Sequence, residues 1–332
     1  MHVSLPACAE VGAADAPGGE RGPTYRPAVP GSARSTPRGA PAGRLEPDHI
    51  RRTPARASAR ESVPLSAVPC PSATMVVWTS AWLHGAAASD DVLDALKPWG
   101  ESHEVRAADQ DLATRLDLPG PDEPAAGPAL LLAALRRSGA AGGELVLPVP
   151  GDVRGLGGAN PFARLALRTG EAAVLREAGL GLVPQNVAEG VVRWTVFELA
   201  DELPPAEHLP IAEAEHGMSS AMREAASTLI DLDIAKHRPG VRDEIAKTVS
   251  SRPQPPWPQD VPQRPLRILQ RASEVEAILW VATDDAPGGA LSASATRART
   301  EALRPLFDSV RAARRASVAE MVRVLSDRAG KH

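Results

Sequence analysis

Ala172-Ala-Val-Leu175, Leu180-Gly-Leu-Val183 and Val191-Val-Arg-Trp-Thr-Val-Phe-Glu-Leu199 are three apolar runs joined by short, glycine-bearing links. The first link is Arg176-Glu-Ala-Gly179 and the second contains Asn186-Val-Ala-Glu-Gly190. Short runs rich in apolar and β-branched residues, bounded by turn residues, read as strands. Links this short cannot carry a parallel crossover, so the three predict an antiparallel meander.

Working back from the meander, Glu144-Leu-Val-Leu-Pro-Val149 is a further short strand, and 103–107 another. Over 76–82 the alternation of Val77, Thr79 and Ala81 against Val76, Trp78, Ser80 and Trp82 predicts a strand as well. Ser89-Asp90-Asp91 offers an N-cap and first-turn acids for a helix running through Leu96. Helices are also expected over 129–137 and 161–167.

Beyond the meander the period becomes helical. Ile211, Ala214, Met218, Met222, Ala225, Leu229 and Leu232 recur at three- and four-residue steps, in a helix that stops before Pro239-Gly240. A short helix is expected over 241–249, then a proline-rich linker over 252–265 that carries Trp257. Ile268, Ala272, Val275, Leu279 and Ala282 mark the next helix. Leu303, Leu306, Val310, Ala313, Met321 and Val324 mark the last, with Pro305 near its start or kinking it. The fold class is therefore α+β (mixed): a small mixed or antiparallel sheet with flanking helices over 75–200, and a helical region over 201–332 that can share its core.

Residues 1–74 read differently. They hold 12 of the 33 prolines, none of the six tryptophans and no periodic apolar positions. Such a segment cannot bury enough apolar surface to offset its chain entropy, so it is expected to be a disordered tail dispensable for folding. Both cysteines, Cys8 and Cys70, fall in it, which predicts a folded part without thiol chemistry. Met75 opens the first strand-like run, so a translation start there is one expectation and a regulatory or tethering tail the other.

Formal net charge is −4, with the tail at +3 and the remainder at −7. An acidic body gives no general attraction to nucleic acid or to anionic membrane. No apolar run approaches the ~20 residues of a membrane span, and the first 20 residues lack the apolar stretch of a secretory signal. A cytoplasmic protein is the expectation.

Candidate chemistry concentrates in one loop, Pro150-Gly-Asp-Val-Arg-Gly-Leu-Gly-Gly-Ala-Asn-Pro161. It follows a strand and precedes a helix, where backbone amides can cradle a phosphate or carboxylate. Gly151, Gly155, Gly157 and Gly158 would present those amides, Arg154 would clamp the anion, and Asp152 or Asn160 would add a polar contact. The spacing fits neither a Walker loop nor G-x-G-x-x-G, and a plainly turned loop accounts for the glycines equally. His84, at the end of the first expected strand, is a candidate base or ligand if folding brings it near the loop.

Other patterns fail their spacing tests. Glu213-Ala-Glu-His216 has the Glu-x-x-His spacing of di-iron bundles, but no second helical copy exists to complete a site. The pair Asp233 and His237 lies too far along the chain to share a metal with it. No metal and no cofactor is expected. Arg297, Glu301, Arg304, Asp308, Arg311 and Arg315 alternate in sign along the last helix, the pattern of a solvated, ion-pair-laced face.

The run Val76-Val-Trp-Thr-Ser-Ala-Trp-Leu-His-Gly85, with Leu145-Val-Leu-Pro-Val-Pro-Gly-Asp-Val-Arg-Gly155, resembles a family of uncharacterised cytoplasmic proteins from high-GC, actinobacterial-type bacteria. The resemblance covers most of 75–328 and implies no activity, cofactor or site residue. What remains is a function not fixed by any catalytic constellation. A non-catalytic interaction or accessory protein with an unidentified protein partner leads, and a binder or enzyme using loop 150–160 for an anionic ligand is the alternative.

Overall fold

The meander forms as expected. In this computed structural model, which describes residues 70–199, 208–231, 240–284 and 293–329, β3 (Ala172–Leu175), β4 (Leu180–Ala188) and β5 (Val191–Glu198) pair antiparallel in sequence. β1 (Ser102–Ala107) joins β5 in parallel, and β2 (Glu144–Val146) joins β3 antiparallel. The sheet order is β1-β5-β4-β3-β2, so the sheet is mixed, with β1 and β2 at its edges. Gly181 sits where the ring of Phe162 crosses β4. A Cβ there would lie 2.6 Å from Phe162 Cε2, so close packing demands a residue without a side chain.

The first element is a helix, which corrects the strand expected over 76–82. α1 (Pro71–Leu83) is buried from Pro71 through Trp82, with Pro71 at N1. A helix buried on every side shows no 3.6-residue stripe, and its Val-Val-Trp-Thr run carries strand propensity that tertiary packing overrides. Two of its polar side chains are satisfied locally: Ser80 Oγ donates to the Val76 carbonyl at 2.7 Å and Thr79 Oγ1 to Met75 Sδ at 3.3 Å. Two further corrections follow. Cys70 is the buried N-cap of α1, so a thiol does lie in the folded part. Ser72 and Thr74 are fully buried, so the folded body begins ahead of Met75. The rest of the expected tail, with Cys8, lies outside the described residues.

α2 (Ser89–Leu96), α3 (Gln110–Leu116), α4 (Pro128–Arg137) and α5 (Pro161–Thr169) flank the sheet. The cap of α2 is Ala88 rather than Ser89, with the Ala88 amide donating to Asp91 Oδ2 at 2.8 Å. The helical region consists of α6 (Ile211–Asp231), α7 (Val241–Ser250), α8 (Gln263–Asp284) and α9 (Ala293–Ala329). Leu232, Asp233 and His237 lie outside the described residues. Pro305 falls well inside α9, not at its start.

α9 joins two cores. At 37 residues it spans about 55 Å at ~1.5 Å per residue. Leu303, Leu306, Val310, Ala313 and Ala316 pack with Ala214 and Met218 of α6 and with Ile268, Ala272, Val275 and Leu279 of α8. Val318, Met321 and Leu325 pack instead into the main core, with α1, the inner strand residues and Trp194. The linker after α7 is pinned to α1, since Trp78 Nε1 donates to the Pro256 carbonyl at 2.8 Å.

Candidate functional site

Each glycine of loop 150–160 has a local structural task. Val149 and Asp152 exchange backbone hydrogen bonds of 3.0 and 2.8 Å around Pro150-Gly151, with Gly151 at φ 92°. Proline at the first central position and a positive-φ glycine at the second is the signature of a type II turn. Gly155, Gly157 and Gly158 also adopt positive φ, at 83°, 67° and 98°. Gly155 is doubly constrained, because a Cβ there would lie 3.0 Å from Val146 Cγ2. Between them Leu156, fully buried, anchors the loop in the small core formed by Val146, Phe162 and Phe197. Asn160 is the N-cap of α5: its Oδ1 accepts from the Ala163 amide at 2.7 Å while its Nδ2 donates to the Leu156 carbonyl at 3.1 Å.

Arg154 is engaged within the loop itself. Its Nε and Nη2 donate to the two carboxylate oxygens of Asp152 at 2.8 and 2.9 Å. Arg311 of α9 approaches the same carboxylate at 3.5 Å while holding Asp308 at 2.7 Å. The hydrogen bonds from Arg154, aided by the charge of Arg315, hold the Asp152 carboxyl well below the usual carboxylate range. The place expected for a bound anion thus holds a carboxylate of the chain itself. The stripe expected to face solvent on α9 is also partly covered: Arg311 is only 16% exposed against this loop.

Loop, sheet edge and last helix enclose a groove of about 1030 Å³. Gly151, Asp152, Arg154, Gly155, Gly157 and Gly158 line one wall. Ala312, Arg315, Ala316, Ala319, Val322 and Arg323 of α9 line the other. Gly143 through Val146 line it consecutively, so it follows the edge of β2 rather than one face of that strand. Among the described residues no strand pairs with that outer edge. Arg176, at the groove's end, grips Glu144 through two hydrogen bonds of 2.8 Å.

His84 is elsewhere. It caps the C-terminus of α1, and its Nε2 meets Ser326 Oγ at 2.8 Å near the end of α9. Glu213 and His216 stand exposed on α6, and no cluster of three metal-ligating side chains occurs among the described residues. A second cleft, of about 720 Å³, lies where α3 and α4 end, lined by Arg115, Arg137, Arg176 and Glu198. Arg115 is paired there with Glu198, and Arg137 Nη2 donates to the Leu116 carbonyl at 2.7 Å.

Sequence reasoning missed a buried polar cluster behind the groove. Glu171, 4% exposed, accepts a 2.8 Å hydrogen bond from the Ser72 amide and lies beside the Cys70 thiol. Arg314, 6% exposed, binds both oxygens of Glu276 through Nη1 at 2.9 and 3.1 Å. Arg252 Nη1 reaches Glu276 at 3.2 Å and the Ser273 carbonyl at 2.8 Å. Burial pushes the Glu171 carboxyl up to about 7, against the pull of Ser72 and Arg314. Burial and the neighbouring Glu171 push the Cys70 thiol up, so it stays protonated. The only sequence signal for this cluster is that Ser317 and Arg314 interrupt an apolar stretch of α9.

Fold and groove define an α+β protein whose mixed sheet and helical bundle are held on one long helix, with an open-edged groove beside it. The chain belongs to the Rv1486c-like protein family: its N-terminal domain model matches residues 72–208 and its C-terminal domain model residues 212–315. The uncharacterized protein Rv1486c of Mycobacterium tuberculosis is 38% identical over 75% of this chain and 96% of its own length. The uncharacterized protein ML1804 of Mycobacterium leprae is 33% identical over the same shares. No solved structure matches the chain. No described helix is long and apolar enough to cross a membrane.

Proposed function

We propose that the chain is a non-catalytic interaction protein of the cytoplasm that takes an extended segment of a protein partner along the groove, as a strand added to the edge of β2. The observation that carries this reading is the unpaired outer edge of β2 opening into the groove beside the small apolar residues of α9. Main-chain hydrogen bonds along an open edge supply affinity in strand addition, and flanking side chains supply selectivity. The acidic body argues for a protein rather than a nucleic-acid partner.

Ala319→Trp, at an exposed groove position, should fill the space without touching a core. Val187→Trp, at an exposed hairpin position, serves as control. Cross-links from affinity-purified wild type should map to 143–146 and α9, vanish in Ala319→Trp and persist in Val187→Trp. An unchanged cross-link map in Ala319→Trp would dispose of the groove.

The second reading, an anionic small molecule held by loop 150–160, draws support from four positive-φ glycines on one wall. It is weakened by Asp152, which an incoming anion would have to displace from Arg154. Phosphate, nucleotides and carboxylates at low salt should therefore leave the melting temperature of wild type and of Arg154→Ala unmoved. A shift in wild type that Arg154→Ala abolishes would restore this reading.

A further inference from the structure

Glu171 occupies an unusual position for a carboxyl group. It immediately precedes β3, at the end of the turn where Gly170 closes α5, and its carboxyl meets the N-terminus of α1. From α1 it meets the Ser72 amide and the Cys70 thiol; from α9, Arg314; behind Arg314 stand Glu276 of α8 and Arg252 of the linker after α7. Among the described residues no cation lies within ion-pair distance of it, since Arg314 is directed at Glu276. An ionised carboxylate buried with so little compensation is costly, so the neutral acid is the form this arrangement holds.

The surroundings nevertheless contain the donors that an ionised form would need. Ser72 Oγ and Arg314 Nε are both buried without a hydrogen-bond partner, as are Arg252 Nη2 in the same network and Arg106 Nε and Arg311 Nε elsewhere. Orphaned buried polar atoms are rare in folded proteins and call for an explanation. Ser72 and Arg314 already act on Glu171, Ser72 through its hydroxyl and its amide and Arg314 through its charge.

We propose that Glu171 is a proton-operated joint between the sheet and the helical bundle. Neutral, it is held by the Ser72 amide and leaves Arg314 to Glu276. On releasing its proton to solvent it engages Ser72 Oγ and Arg314 Nε, so that Arg314 is shared between Glu171 of the sheet and Glu276 of α8. The changeover falls near neutral pH, and it acts on the stretch of α9 whose next residues, Arg315 and Ala316, form the groove wall. The inference does not depend on the groove being a docking site.

The test is infrared titration of the carboxylic C=O band between pH 5 and 9 in the full chain. A band present at low pH should disappear with a midpoint near 7 in wild type and be missing in Glu171→Gln. Should Glu171→Gln fail to fold, Glu171→Asp, which keeps the acid and displaces the band, makes the assignment. Ser72→Ala removes a hydroxyl whose donation favours the ionised form. It should raise the midpoint by about one pH unit, the equivalent of one charge-assisted hydrogen bond. No assignable band at pH 6, or an unmoved midpoint in Ser72→Ala, would overturn the joint.

Discussion

His103 is a pH sensor of stability by virtue of its two hydrogen bonds. Its Nδ1 accepts from Trp194 Nε1 at 3.1 Å, which leaves the proton on Nε2 to be donated to the Leu96 carbonyl at 2.9 Å. A second proton would set N–H against N–H at Trp194, and burial lowers the imidazole's affinity for it further. The folded value lies below the ordinary 6.5. Stability from this residue is therefore complete above 6.5 and declines as pH falls toward and through the folded value. Glu171 slopes oppositely, its raised value favouring the fold below 4.5 and that contribution fading as pH rises through about 7. Urea midpoints measured from pH 5 to 7.5 in a Glu171→Gln background should fall toward acid, and His103→Gln should flatten that fall. At Gly155 the effect is conformational. Ala there would carry a positive φ and press on Val146, so Gly155→Ala should cost about 1–3 kcal/mol in denaturant melts. Arg154→Ala, losing the ion pair of a side chain that is itself 55% exposed, should cost under about 1 kcal/mol.

Among the elements, β5 and the helical stripes could be read because each buries one face and leaves the other more open, and β3, buried throughout, because its short apolar run lies between turn residues. Ala172–Leu175 and Val191–Glu198 alternate or run apolar between clear turn residues, and Met218, Ala225, Leu306 and Val310 keep helical spacing. α1 could not be read, because Pro71 through Trp82 are all buried and no face is marked by polarity. Its start signal, Pro71 after Cys70, sits at the edge of a proline-rich stretch that resembles a tail in composition. The groove's glycines were legible as turns, but its second wall was not. Nothing local in Ala312, Ala316 or Ala319 tells that they face a loop so distant in sequence. A cut at Met75 tests the element itself. It removes the Ser72 amide from Glu171 and Thr74 Oγ1 from Trp99 Nε1, and leaves a charged terminus in a buried place. A chain beginning at Met75 should be destabilised by more than about 3 kcal/mol relative to one beginning well ahead of Cys70, as chemical denaturation would register. Equal midpoints would show that the first turn of α1 adds nothing.

At the scale of the molecule, the family's division into two domains meets a helix that serves both. Leu303 through Ala316 belong to the bundle core and Val318 through Leu325 to the sheet core, with no break in α9 between them. Arg314 and Ser317 lie at the changeover, both buried, and Arg314 ties α9 to Glu276 there. We propose that the two regions unfold as one unit, since melting either core would unwind the helix on which the other is built. Leu306→Ala removes a buried side chain from the bundle and should cost about 2–5 kcal/mol. Leu229→Ala, half-buried at the far end of α6, should cost less. The informative quantity is which probe moves. The assigned indole N–H resonance of Trp194, fully buried in the sheet core, reports on one region, and total helicity is weighted toward the other. In Leu306→Ala both signals should shift to the same lower denaturant concentration and keep a common slope, as a single cooperative transition requires. Were Trp194 to keep its wild-type midpoint while helicity fell early, the bundle would be melting alone, and α9 would be a tether between two domains rather than their shared spine.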